Sequence, residues 1–261
     1  GSMGEAYRPT LWDVVAQDAI AFHQTGERGI VAPEDAFELE ASSPALQEVN
    51  IFRHWQPVQK DTKKEFVTDT DSPILQIISL YQQILNFHAD DTDQTAYLSA
   101  DLDRLRWARE VAVADGETEP NDRFCHELKT YIEKAEDYEI SAMARFSLAE
   151  SIRSESPAEA RSIAIPAVDR YPESIGGKQC QNLIAQIEAK EVSVTAERTW
   201  AEPWPAIQVT YRNIDRLHLR LVRANWEERL REGKPSGQWI DQKDRGQILS
   251  LPILQSAAIA L

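Results

Sequence analysis

Apolar residues recur every three or four positions through about the first 190 residues and then alternate with polar ones, a pattern that predicts helices followed by strands. Thr10 reads as a helix N-cap with Asp13 at the spacing of a capping box. Leu11, Val14, Val15, Ala19 and Phe22 then share one helical face. A polar stretch with Gly26, Gly29 and Pro33 ends that helix. A shorter helix carries Leu46, Val49, Phe52 and Trp55 and stops at Pro57, and the charged, aperiodic segment Gln59 to Thr70 reads as a loop. Asp71-Ser72-Pro73 opens the next helix, since proline at the first helical position gives up no needed donor. Its apolar stripe is Ile74, Ile77, Ile78, Tyr81, Ile84 and Leu85. Asp90, Asp91 and Asp93 precede a further helix carrying Tyr97, Leu98, Leu102, Leu105 and Ala108, where carboxylates suit the positive end of the dipole.

The remaining helices are shorter and evenly spaced: Asn121 to Ala135, Ser141 to Arg153, Pro157 to Arg170 and Ser174 to Ala189. The starts at Ser141 and Ser174 lie 33 residues apart, close to the tetratricopeptide period of about 34. Aligning Tyr171-Pro172 with the closing proline of that motif puts Ala160 and Ala167 at its small packing positions. Leu148 and Ala164 depart from the motif, and Pro166 falls inside a helix, where it removes a hydrogen bond and predicts a kink worth roughly 3 kcal/mol. The pattern is that of a degenerate helical repeat.

After Lys190, Val192, Val194 and Ala196 alternate with polar residues, as do Ile207, Val209 and Tyr211, and again Leu217, Leu219 and Leu221. Period two with polar partners predicts strands with one buried and one wet face. Trp200-Ala201-Glu202-Pro203-Trp204-Pro205 reads as a connector, and Arg212-Asn213-Ile214-Asp215-Arg216 as a turn. Asn225 to Arg231 fits a short helix, and Gly233 to Gly246 a loop before Ile248, Leu249, Leu251, Ile253 and Leu254. Three strands and a beginning at Ala258-Ile259-Ala260-Leu261 are too few for a sandwich of about seven. The expected fold is therefore α+β in separate domains: an all-α, tetratricopeptide-like repeat over 1–190 and the N-terminal part of an antiparallel β-sandwich over 191–261. The chain reads as an N-terminal piece of a longer protein.

Charge changes at the same place as period. The whole chain of 261 residues carries −15, with 28 Lys+Arg against 43 Asp+Glu. Residues 191–261 hold 10 basic and 9 acidic groups, which leaves 18 against 34, a net of −16, in residues 1–190. So acidic a surface gives little counterion release and argues against nucleic acid as a partner. No run of eighteen apolar residues predicts insertion into a membrane. Gly1-Ser2-Met3 reads as a scar of recombinant expression, with no signal peptide after it. Cys125 and Cys180 are too few for a disulfide framework and fit either buried thiols or one bridge, while an apolar content of 42% suffices for a core without one.

Few residues suggest chemistry. Cys125-His126-Glu127-Leu128 offers a thiol beside an imidazole, but neighbours on a helix point about a quarter-turn or more apart. His126-Glu127 opens a zinc-protease motif that Thr130 closes off, since a second His is required there. His23, His54, His88 and His218 have no partner at ligand spacing, and His23 and His88 read as cations at helix ends. Asp90-Asp91-Thr92-Asp93 lacks the Gly and Glu of a calcium loop, and Gly176-Gly177-Lys178 lacks the spacing of a phosphate loop. No catalytic, cofactor-binding or metal-binding residue is nominated, no cofactor is expected, and an enzyme is not.

Residues Arg170 to Arg223 carry a resemblance. They contain Tyr171-Pro172-Glu173-Ser174, Cys180-Gln181-Asn182-Leu183, Ile187-Glu188 and the Pro203-Trp204-Pro205 connector. Val209-Thr210-Tyr211-Arg212-Asn213-Ile214 and Leu217-His218-Leu219-Arg220-Leu221-Val222-Arg223 follow. The stretch resembles the junction in large bacterial alpha-2-macroglobulin-like proteins, where a helical repeat region meets the first macroglobulin β-sandwich. Pro9-Thr10-Leu11-Trp12-Asp13-Val14-Val15-Ala16 is similar to the opening of the same region. The resemblance implies a cell-envelope or periplasmic protease trap (an endopeptidase inhibitor), in which a bait region is cleaved and a Cys-x-Glu-Gln thioester captures the attacker. Cys125-His126-Glu127-Leu128 lacks the Gln that a thioester needs, and no trapping residue is carried over. The expected role is a non-catalytic scaffold or interaction segment whose partners are the rest of its own polypeptide, target proteases or an envelope protein. The alternative is a stand-alone module that binds a protein or peptide on the concave face of its repeats.

Overall fold

A computed structural model describes residues 6–25, 37–57, 72–116, 118–195, 206–223 and 248–261, with 227, 231 and 246. It divides into two units, Gly1–Ile187 and Glu188–Leu261. The elements of the first are α1 (Leu11–Gln24), a 3-10 turn (Pro44–Leu46), α2 (Val49–Arg53), α3 (Pro73–Phe87), α4 (Thr95–Val111), α5 (Pro120–Lys134), α6 (Ile140–Ile152), α7 (Pro157–Arg170) and α8 (Ile175–Glu188). The second holds β1 (Glu191–Thr195), β2 (Gln208–Arg212), β3 (Arg216–Val222) and β4 (Ile253–Ala260). Among the described residues the chain is thus mixed, mainly helices first and two small antiparallel sheets after, with 246 and 248–250 also helical.

The capping box forms as the spacing predicts: Asp13 N–H donates to Thr10 Oγ1, and Thr10 N–H donates to Asp13 Oδ2. The buried face of α1 is a different matter. Leu11 is 78% exposed and Phe22 71%, and Val14 and Val15 also face outward, while Asp13, Ala16 and Ile20 are buried. At about 100° per residue the two sets lie nearly opposite each other. Both arcs have helical spacing, so the choice between them rests on what α1 meets, and α1 packs against α3 through the Asp13 side.

α3 and α4 bury the stripes read from their periodicity: Ile77, Ile78, Tyr81, Ile84 and Leu85 on one, Tyr97, Leu98, Leu102, Leu105 and Ala108 on the other. Leu46 and Phe52 are fully buried, joined to Phe124 and Leu128 of α5 in one core. A second core of small side chains, with Ala142, Ala149, Ala160, Ala164 and Ala167, joins α6 to α7 and takes Cys180 and Leu183 from α8. Small residues let helix axes come close. Gly176 shows how close: a Cβ there would sit 2.3 Å from the Met143 backbone nitrogen. α7 runs from Pro157 to Arg170 with Pro166 inside it, the bounds that the pattern predicts.

Arg104 is the largest fully buried side chain among the described residues and was not marked by any sequence motif. It reaches from α4 to the 3-10 turn, where Nη1 donates to the carbonyls of Ala45 (2.8 Å) and Gln47 (3.0 Å). Nε donates to Asp101 Oδ1 at 3.0 Å, and the guanidinium lies 4.7 Å from the Phe52 ring centre. One planar cation thereby satisfies carbonyls that no helix or strand would serve.

In the second unit β1 pairs with β2 from Glu191↔Arg212 to Thr195↔Gln208, and β3 pairs with β4 with an irregularity at Leu221/Val222. Asn213 adopts φ +56°, the left-handed turn conformation that asparagine tolerates, and its Nδ2 donates to Ala189 O at 3.1 Å. The expected buried strand face is not buried. Val192, Val194 and Tyr211 are exposed, and Leu217 and Leu219 are only half-buried. A strand face needs a second layer, and no second layer covers either pair among the described residues. The predicted strand start at Ala258 also moves: β4 begins at Ile253. Gly26 to Pro33, Gln59 to Thr70, Ala196 and Trp200 to Pro205 lie outside the described residues. So do 233–245 and most of the proposed Asn225 to Arg231 helix, of which Glu227 and Arg231 are described as helical.

Candidate functional site

The residues singled out for chemistry do not converge. Cys125 is half-buried on α5 and His126 is exposed, with no hydrogen bond between them. Burial pushes the Cys125 thiol above its ordinary range, against the pull of Ser151 and Arg109. That is the reverse of an activated thiolate. Cys180 is buried, and burial pushes its thiol up to about 12; it donates to Ala142 O at 3.7 Å. Both thiols are free, so the bridge is set aside. Gly176 and Gly177 serve packing: a Cβ at Gly177 would overlap the Tyr171 carbonyl, and Gly177 N–H donates to Ser174 Oγ, which starts α8. Asp93, one residue before the N-cap Gln94, accepts from the N–H of Thr95, the first residue of α4, at 3.0 Å. His54 bonds Asn50 O through Nδ1, and His218 lies exposed on β3.

His88 departs most from the sequence reading. It sits at the C-terminal end of α3, but it is 1% exposed and both ring nitrogens meet carboxylates. Nε2 is 2.6 Å from Asp13 Oδ1 and Nδ1 is 2.7 Å from Asp91 Oδ2. Carboxylate oxygens only accept, so both bonds require the doubly protonated imidazolium. Burial draws the His88 pKa down, but the bonds to Asp13 and Asp91 outweigh it and hold it above the ordinary value. Burial likewise acts to raise Asp13, and the His88 and Thr10 bonds overcome it, so Asp13 sits below the usual carboxylate range. With no ring nitrogen left over, the cluster cannot serve as a general base to a nucleophile. It is a clamp. No sequence spacing could reveal it, since Asp13 and His88 are 75 residues apart.

Among the described residues, two grooves within the helical unit stand out. One, of about 360 Å³, lies between α6 and α8; Phe146 and Leu183 give it apolar surface, and Glu150, Arg153, Gln179, Asn182 and Gln186 give it polar edges. Gln179 Oε1 is buried there and accepts no hydrogen bond. The other, of about 340 Å³, lies between α1, α3 and α4. α6 and α8 run parallel: Gly176 and Cys180 lie against Met143 and Ala142 at one end, and Arg153 Nη1 donates to Gln186 Oε1 (2.7 Å) at the other. Arg170 at the end of α7 bonds Asp137 just past α5, and Tyr171 OH donates to Glu136 O at 3.1 Å. Arg153–Gln186 and Arg170–Asp137 each span 33 residues.

Comparison with family models, with curated proteins and with solved structures gave no match. Among the described residues there is no cluster of three or more potential metal ligands, and no helix is long and apolar enough to cross a membrane.

Proposed function

We propose that the chain is a non-catalytic interaction segment of an alpha-2-macroglobulin-like protein of the cell envelope or periplasm, a protease trap, in which the helical repeat holds an extended peptide segment between α6 and α8. The observation that carries the interaction role is Gln179 Oε1, a buried acceptor without a donor in a groove edged by Asn182 and Gln186. An unmet buried acceptor is costly, and a peptide N–H is the donor that fits it. Asn182 and Gln186 then offer paired donors and acceptors to the same backbone, as in other modes that read main chain before side chain. The parallel α6 and α8, with bonds repeated at 33 residues, support a tetratricopeptide-like repeat whose like helices line one face. The trap setting rests on the resemblance over Arg170 to Arg223, and the non-catalytic role on an unactivated Cys125 and a fully engaged His88.

A display library of random linear peptides, selected on the full chain, tests the groove. Enriched peptides should lose at least tenfold in affinity to Gln179→Ala and Asn182→Arg, both at positions that keep the core intact. No enrichment, or binding that ignores both changes, would remove the groove from the proposal. Reading the gene past Leu261 tests the setting separately: a much longer frame with a Cys-x-Glu-Gln motif supports a covalent trap. A stop codon close behind sinks the family reading and leaves the stand-alone peptide-binding module.

A further inference from the structure

The groove between α1, α3 and α4 holds a buried donor that the fold leaves unmet. Trp107 lines it and is 4% exposed, yet its indole Nε1–H has no hydrogen-bond partner. The Tyr81 ring lies beside it, centroids 5.8 Å apart, and also lines the groove. Asp103, about one-third exposed, has no direct side-chain cation: its nearest, Arg106 Nη1, is 3.9 Å away, beyond hydrogen-bond range. Burial holds the Asp103 carboxyl above its ordinary value, only partly offset by Arg106 and Arg8.

The charges around these groups define what would complete them. Arg8 and Arg106 face Asp18, Asp103 and Glu110, one more carboxylate than guanidinium. The excess negative charge calls for a ligand with net positive charge, and two aromatic rings in the wall favour a cation as well. The indole N–H and the two guanidinium groups call for an acceptor, best a carboxylate. Both demands are met by one molecule only if it carries an anionic and two cationic groups within a few bonds. We propose that this groove binds a free basic α-amino acid, arginine or lysine. Its side-chain cation lies toward Asp18, Asp103 and Glu110, and its carboxylate takes the Trp107 N–H and the guanidinium groups. A volume of about 340 Å³ is at the small end of ligand pockets and suits an amino acid. The site is on different helices from the peptide groove and does not depend on it.

Calorimetric titration of the full chain with L-arginine and with L-lysine tests the site, with L-citrulline and L-glutamate as controls at matched ionic strength. Saturable binding of arginine or lysine is expected, with citrulline at least about tenfold weaker because it lacks the side-chain cation. Asp103→Asn should weaken the basic amino acid about tenfold or more, and Trp107→Phe, which keeps a ring but removes the N–H, several-fold. Should Asp103→Asn disturb folding by circular dichroism, Glu110→Gln, exposed on the groove rim, replaces it. Absence of saturation below about 10 mM for both amino acids, equal binding of citrulline, or binding untouched by these changes would overturn the proposal.

Discussion

His88 Nε2 lies 2.6 Å from Asp13 Oδ1, and this bond ties the first turn of α1 to the last turn of α3. Asp13 does two jobs there: one oxygen closes the capping box with Thr10, the other faces the imidazolium. Since Asp91 holds the second ring nitrogen, removing the ring leaves a buried carboxylate without its cation.

His88→Ala should therefore cost about 3 kcal/mol, and lower the thermal midpoint by roughly 10 °C for a chain of this size. Its pH dependence is the sharper readout. His88 is raised in the fold, so its contribution is complete below its unfolded value of about 6.5 and is lost as pH rises through the folded value. Asp13 is lowered, so its contribution is complete above about 3.8 and is lost as pH falls through its folded value. The midpoint difference between wild type and His88→Gln should be largest between these values and shrink on both sides. A difference that stays flat from pH 6 to 9 would rule out the doubly bonded imidazolium.

Arg104→Ala should also cost about 3 kcal/mol, because Asp101 stays buried and the Ala45 and Gln47 carbonyls lose their donor. Arg104→Lys keeps the charge but not the fork, and should recover only part of the loss. Urea midpoints measure both, and hydrogen exchange should localise the loosening to Ala45 through Gln47. Equal stability of wild type and Arg104→Lys would contradict the bridging role.

Gly176→Ala is informative for its sign. Within a helix the exchange ordinarily stabilises by about 1 kcal/mol. Here the new methyl meets backbone atoms of Ala142 and Met143, which cannot swing aside. Destabilisation of about 2 kcal/mol or more is expected from denaturant unfolding. A neutral or stabilising outcome would mean that α8 does not approach α6 so closely.

Both cysteines should resist alkylation and disulfide exchange at neutral pH in the native protein, since burial raises both thiols. Quantitative labelling with an aromatic disulfide should reach two thiols only after unfolding in urea. Rapid native labelling of Cys125 would reopen it as a nucleophile.

The helices were legible because each carries its own evidence. Pro73, Pro120 and Pro157 stand at first helical positions, Thr10 and Asp13 pair locally, and the stripes on α3 and α4 are buried as read, although α4 also buries Asp101, Arg104 and Trp107 outside its stripe. The starts of α6 and α8, expected 33 residues apart, fall 35 apart at Ile140 and Ile175, a shift of one residue at each end. α1 failed the same test, because its apolar arc and its buried arc are both periodic and the wider one is not the one that packs. The strands showed their alternation but not their burial, which depends on a layer that alternation alone does not supply.

The sequence by itself determined where the longer helices start and stop, the change of period and of charge near residue 190, and the Asn213 turn, whereas the short helix read from Leu46 to Trp55 is a 3-10 turn followed by α2. Those are interactions among residues within a turn or two of each other, and the chain carries them wherever it goes. Tertiary structure alone decided that Asp13 would meet His88, that Arg104 would be buried beneath the turn at Pro44, and that Gly176 would let two backbones touch. Each of these joins residues 33 to 75 positions apart, and its energy exists only once the helices have packed, when burial turns a weak surface charge or a missing methyl into a strong constraint.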